Sequence, residues 1–283
     1  MAVGTTRGKR RLGRFIKPIV ERAGLTVDQL AAKTVCHPQT ITRLLSGRSL
    51  PSGQRFATIL AVLGATDDER AQALQLWAVA DVDAGSIEHA DDLPTQYRRF
   101  RLDEAEALRE QTLDTVILPG ILQTPEYTME LSRVVQDLLS SPDGGSRAVT
   151  DRRSRLELLT RDRNPLILDA FIDEFALRRP IGGPEVMSAQ YDHLLSLNTA
   201  HNVRIRYLPS TLGAYGPLSG EIISLGFHED DEPDAVYLGH FAGTVPVTKP
   251  KQLMALSRLF ERLADIAAST EDTSEFIREL CRE

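Results

Sequence analysis

The 283-residue chain is poor in cysteine and aromatic residues, with two Cys, one Trp and 6% Phe, Trp and Tyr. Cys36 and Cys281 stand at opposite ends of the sequence. That placement excludes a disulfide framework and the close spacing of a thiolate metal centre, so both read as unreactive bystanders. No apolar run approaches the ~18 residues that a helix needs to span a bilayer. The N-terminal MAVGTTRGKRRLGRF is basic but has no apolar core of a signal peptide, so a cytoplasmic protein is expected. A phosphate-cradling glycine loop, a nucleophile elbow and a His-Glu zinc helix are all missing. The expectation is a protein that is not an enzyme and carries no cofactor and no metal. The run HEDDE, His228 to Glu232, reads as a hydrophilic turn between strands, and Glu174 with Arg178 as a structural i,i+4 pair.

Acidic residues are scarce at one end only. Residues 1–66 carry eleven Lys and Arg against Glu21 and Asp28, a formal +9, while the remainder carries −16 within a net charge of −7. A small basic module on a larger acidic body is the electrostatic footprint expected when one end meets a polyanion. The length suggests two domains at roughly 150 residues each.

Periodicity and punctuation divide the basic part into helices. Leu12, Phe15, Ile16, Ile19, Val20 and Ala23 recur at helical spacing from Arg11 until Gly24 stops the pattern. Pro18 should kink this helix or shift its start. Thr26 is a good N-cap for VDQLAAKT. After a turn at Val35-Cys36, the stretch HPQTITRLLSGRSLP supplies a capping residue, a first-turn proline, buried Ile41, Leu44 and Leu45, and a closing Ser-Gly. Its outward residues, Gln39, Thr40, Thr42 and Arg43, are unusual for a face that only needs to stay soluble. Ser52 opens a fourth helix bearing Phe56, Ile59, Leu60 and Leu63, and Asp67 to Ala80 forms a fifth with Trp77. The organisation expected is an all-α helix-turn-helix bundle over residues 1–80 and a linker over 81–94. Residues 95–283 follow as an α+β domain with a mostly antiparallel sheet.

The run TVDQLAAKTVCHPQTITRLLSGRSLPS, Thr26 to Ser52, resembles the Xre family of phage-repressor-like regulators, with Thr26, Leu30, Ala31, Ile41, Leu44, Gly47, Leu50 and Pro51 at the family's usual positions. The resemblance implies double-stranded DNA as partner and makes the helix after Val35-Cys36 the recognition helix of the major groove. Gln39 and Arg43 then stand where base readers stand, with donor and acceptor patterns suited to adenine and guanine. Thr40, Thr42, Arg48 and Lys33 suit phosphates. The family often has glycine in the turn, where this chain has Val35, and a phosphate-binding glutamine where it has Val27. Arg14, Lys17 or the TTRGKRR tail would take over that anchoring. Many members also bury an arginine against a glutamate where this chain has Val20 and Leu45, a replacement that avoids desolvating two charges.

Beyond residue 95 the pattern suggests a helix YRRFRLDEAEALREQ, a short strand in TVILPGILQT, the helix PEYTMELSRVVQDLL, a loop SPDGGS and a solvated charged helix DRRSRLELLTRD. The strand LILDAFIDE and the helix PEVMSAQYDHLLSLNTA come next, followed by strands VRIRYLP, GEIISLGFHE and AVYLGHFAG, the helix KQLMALSRLFERLADIA and a short last helix. LPGILQTPEYTMEL, DRRSRLELL, DEFALRRPIGGPEVMSAQYDHLL and VRIRYLPSTLGAYGPLSG are similar to the C-terminal domain of actinobacterial WhiJ-like regulators. That resemblance implies a small partner protein encoded nearby, in the manner of antitoxin and toxin pairs.

Three classes of function follow. The first is a DNA-binding regulator whose acidic domain forms a homodimer on an inverted repeat and binds a partner protein. The second is the same regulator with a small-molecule pocket, for which GAYGPLSG and Tyr215 could form a lip. The third is an enzyme that reaches nucleic acid through its basic end.

Overall fold

The computed structural model describes residues 7–82, 95–139, 144–218, 220–227, 234–240 and 243–282. The chain divides into two compact units, Met1–Glu106 and Ala107–Glu283. The linker expected at 81–94 and the turn HEDDE lie almost wholly or wholly outside the described residues.

In the first unit, α1 (Arg7–Ala23), α2 (Val27–Lys33), α3 (Pro38–Leu45), α4 (Gly53–Val62) and α5 (Asp67–Val82) are the five expected helices, and α6 (Thr95–Glu106) belongs with them. Helix α1 begins four residues before the expected Arg11 and runs on through the exposed Pro18. Its early start has a tertiary cause: the Gly8 N–H, one of the donors a helix leaves unsatisfied in its first turn, donates to the Glu106 carboxylate at 3.0 Å.

The caps are those written in the sequence. The Gln29 N–H donates to Thr26 Oγ1 at 3.2 Å and the Thr26 N–H to Gln29 Oε1 at 3.0 Å, a reciprocal capping box. At α3 the Gln39 N–H donates to His37 Nδ1 at 3.1 Å. Leu12, Ile16, Ile19, Leu30, Ile41, Leu44, Phe56, Ile59 and Leu60 form one buried cluster, each side chain contributing roughly 1.5–3 kcal/mol of transfer free energy. Val20 is buried in that cluster and Leu45 packs against it, so apolar contact stands where the resembled family has an ion pair. The Trp77 indole N–H donates to the Pro51 carbonyl at 3.0 Å, fixing α5 against the chain that leads into α4.

The second unit is built on a six-stranded mixed sheet of order β3-β2-β1-β4-β5-β6. Its strands are β1 (Arg109–Asp114), β2 (Ile167–Asp173), β3 (Val203–Leu208), β4 (Glu221–Gly226), β5 (Ala235–His240) and β6 (Gly243–Val247). The pairings β1·β4, β4·β5 and β5·β6 are antiparallel; β1·β2 and β2·β3 are parallel. Helices α7 (Pro125–Leu139), α8 (Gly144–Leu156), α9 (Glu174–Arg178) and α10 (Pro184–Leu197) lie in the connections of the parallel strands, and α11 (Pro250–Ile266) and α12 (Thr270–Leu280) close the chain. Leu113, Phe171 and Ile222 share a core cluster with Phe260 and Leu263 of α11.

Several local expectations are corrected. The helix expected over residues 97–111 ends at Glu106, because Arg109–Asp114 is recruited as the strand that joins the parallel and antiparallel halves of the sheet. The segment TVILPGILQT holds a bend and a short 3-10 turn, Gly120–Leu122, in place of a strand. Residues 141–143 of the expected loop SPDGGS lie outside the described residues, and Gly144, Gly145 and Ser146 open α8. Helix α8 is no wholly solvated face: Arg155 is buried and its guanidinium lies 3.5 Å from the buried Glu110 of β1. Strand β6, with Pro246 inside it, is not among the expected strands; a proline-bearing segment reads as non-strand and is tolerated here at the sheet edge.

Candidate nucleic-acid interface

Helices α2 and α3 and the turn between them present the residues singled out from the sequence. Ile41 and Leu44 turn α3 inward, and Gln39, Thr42 and Arg43 are exposed on its other side. Gln39 and Arg43 are four residues apart and therefore lie on one face. Thr40 is half-buried. The Thr42 hydroxyl donates to the Pro38 carbonyl at 3.2 Å, which leaves its oxygen as an acceptor but commits its proton. Lys33 is exposed in the last turn of α2, and Arg48 is exposed just beyond α3, its backbone N–H bonded to the Arg43 carbonyl at 2.8 Å. Arg14 and Lys17 are exposed on α1.

Two glycines bring α1 against α3. A Cβ on Gly13 would stand 2.6 Å from the Leu45 carbonyl oxygen, and one on Gly47 would stand 2.6 Å from Arg10 Cα. The first half of α1, with Arg14, is thus held beside the C-terminal end of α3 and Arg48. Sequence reasoning passed over Gly13, although a glycine inside an amphipathic helix is itself a signal of close approach.

The basic tail is partly consumed within its own unit. Lys9 is buried, and Arg10 pairs with Asp103 of α6 at 3.0 Å. Arg22 also has a partner: its guanidinium makes a two-pronged contact with Glu69 of α5 at 2.7 and 2.6 Å. The hydrogen bonds from Arg22, together with one from the Thr66 N–H, hold the Glu69 carboxyl down at about 2. Of the TTRGKRR tail expected to anchor phosphates, Lys9 and Arg10 thus have contacts within the unit, and Thr5 and Thr6 lie outside the described residues.

The turn has a geometry of its own. The Val35 N–H donates to the Ala32 carbonyl and the Cys36 N–H to the Ala31 carbonyl, the paired bonds of a Schellman motif. The motif demands a left-handed residue at Val35, which has φ +50° and is 86% exposed. Equivalent bonds close α3 at Gly47 (φ +66°) and α4 at Gly64 (φ +66°).

The chemistry of the second unit is different. Glu110, Thr112 and Asp114 project from β1 and are buried; burial and the neighbouring Glu221 of β4 hold the Asp114 carboxyl well above the usual range. The expected pair of Glu174 and Arg178 is present at 2.8 Å. Among the described residues no group of His, Cys, Asp and Glu side chains could hold a metal ion.

A capped helix pair joined by a tight turn, basic and exposed on one side, defines a helix-turn-helix protein. Residues 11–73 match the family described as helix-turn-helix domain, which supports a DNA-binding regulator. Residues 97–279, more than half of the chain, match the family described as domain of unknown function (DUF5753), and the chain belongs to that family. No curated protein and no solved structure matches the chain. Among the described residues no helix is long and apolar enough to cross a membrane.

Proposed function

We propose that the protein is a sequence-specific transcriptional regulator of the Xre type that lays α3 in the major groove of an operator. Gln39 and Arg43 read base edges there, and Lys33, Thr40, Thr42, Arg48, Arg14 and Lys17 hold phosphates. The observation that carries this reading is the exposure of Gln39 and Arg43 one turn apart on a helix whose opposite side is fully committed to the core. Gln39 sits in the first turn, the part of a recognition helix that enters the groove.

One such helix covers a few base pairs, and selectivity among genomic sites normally takes two, spaced about one turn of DNA apart. The proposed assembly is a homodimer on an inverted repeat, with its contact in the second unit. That unit also binds a small partner protein, as its likeness to WhiJ-like, antitoxin-like regulators implies. The test is in vitro selection of binding sites from random DNA, with light scattering and footprinting of the selected complex. A symmetric motif protected by two copies supports the proposal. A monomer that protects a single half-site with full affinity, or selection that returns no motif, overturns it.

A further inference from the structure

The loop after β3 and the exposed side of α11 border an open groove of about 400 Å³ in the second unit. Tyr215, Pro217, Leu256 and Leu259 give it apolar walls, and Arg258 and Arg262 stand on its rim. The loop is fixed from beneath. Tyr215 is buried and its hydroxyl donates to the Asp173 carboxylate at the end of β2, while the Ser210 N–H donates to Glu174 at 2.8 Å. Gly216 lets the loop lie close to Leu259, since a Cβ there would stand 2.8 Å from Leu259 Cδ1.

The two arginines are four residues apart on one helix and therefore face the same way. Both are exposed, and although Glu261 and Asp265 share the helix, neither arginine has an acidic side chain within 4.0 Å among the described residues. Two adjacent guanidinium groups left unneutralised repel one another, and a carboxylate or phosphate held in their forks removes that repulsion. The volume falls in the range of small-ligand sites, and apolar walls with a few convergent polar groups are their usual lining.

We propose that this groove binds a free small organic anion with an apolar body, a medium-chain or aromatic carboxylate or monophosphate. Its head group lies on Arg258 and Arg262 and its body on Tyr215, Pro217, Leu256 and Leu259. The site is independent of the DNA-binding reading and is measured without DNA. A ligand there touches α11 and a loop tied to the ends of β2 and α9, so occupancy stiffens that end of the sheet.

The test uses the full chain and three amphiphiles of equal length, octanoate, octyl phosphate and octylammonium, with binding followed by calorimetry and thermal melting. Octanoate and octyl phosphate bind and raise the melting temperature; octylammonium does neither. The variant R258A/R262A melts like the wild type but binds the anions at least tenfold more weakly, and G216V, whose side chain collides with Leu259 in the wall, binds them more weakly. Equal binding of all three amphiphiles, unchanged affinity in R258A/R262A, or no binding of either anion overturns the proposal. Sedimentation with phosphatidylglycerol vesicles as efficient as octanoate binding overturns the assignment to a free small molecule in favour of a membrane headgroup.

Discussion

Replacing Val35 by glycine should stabilise the helix-turn-helix unit. The left-handed conformation costs an L-residue roughly 1–2 kcal/mol, with a β-branched side chain at the upper end because its second γ-carbon crowds the following carbonyl. Val35 has φ +50° and is 86% exposed, so deleting its side chain forfeits almost no burial. Glycine gives back part of the gain, roughly 0.4–1 kcal/mol, through the freedom it adds to the unfolded chain. The net expectation is a stabilisation of about 1–1.6 kcal/mol, or roughly 4–13 °C for a unit of this size. Trp77 is the only tryptophan and packs in this unit, so its fluorescence during thermal or guanidinium unfolding reports the transition of interest. Val35→Ala keeps the Cβ and most of the strain, and should show little gain. If Val35→Gly melts at or below the wild type while Val35→Ala is unchanged, the turn is not strained and the argument fails.

Gly13→Ala, which would favour an isolated helix by up to ~1 kcal/mol, should destabilise this unit, because the new Cβ meets the Leu45 carbonyl at 2.6 Å; denaturant titration followed through Trp77 reads the sign. The Glu69 carboxyl is depressed from 4.5 to about 2, so the stability it contributes is present above pH 4.5 and is lost as the pH falls towards 2. Glu69→Gln should flatten that acid limb, and urea melts at pH 5 and pH 3 compare the two proteins. Arg43→Ala should cost ~1–3 kcal/mol of operator binding and relax one base position per half-site. A loss uniform across sequences, seen by competition binding, would make Arg43 a phosphate contact instead.

The sequence by itself determined the helices of the first unit, because what starts and stops each of them acts over a few residues. Thr26 with Gln29 and His37 before Pro38 form their contacts within one turn, and the apolar residues three and four apart mark the buried face of each helix, whereas the ties of Gly8 to Glu106 and of Arg10 to Asp103 come only with the fold. The turn at Val35 was placed correctly for the same reason, although only the backbone angle shows that a β-branched residue is held there against its preference. The second unit was legible where strands are apolar, as in β2 and β4, and illegible where tertiary pairing overrode local character. Arg109–Gln111 reads as the tail of the charged helix before it, yet Arg109–Asp114 pairs in register with Ile167–Ile172 on one side and Glu221–Gly226 on the other. Those partners lie more than fifty residues away, and their hydrogen bonds and burial outweigh a helical preference worth only tenths of a kcal/mol per residue. The groove follows the same logic: Tyr215 and Leu259 are unrelated in sequence, and only the packing of α11 on the sheet brings them together.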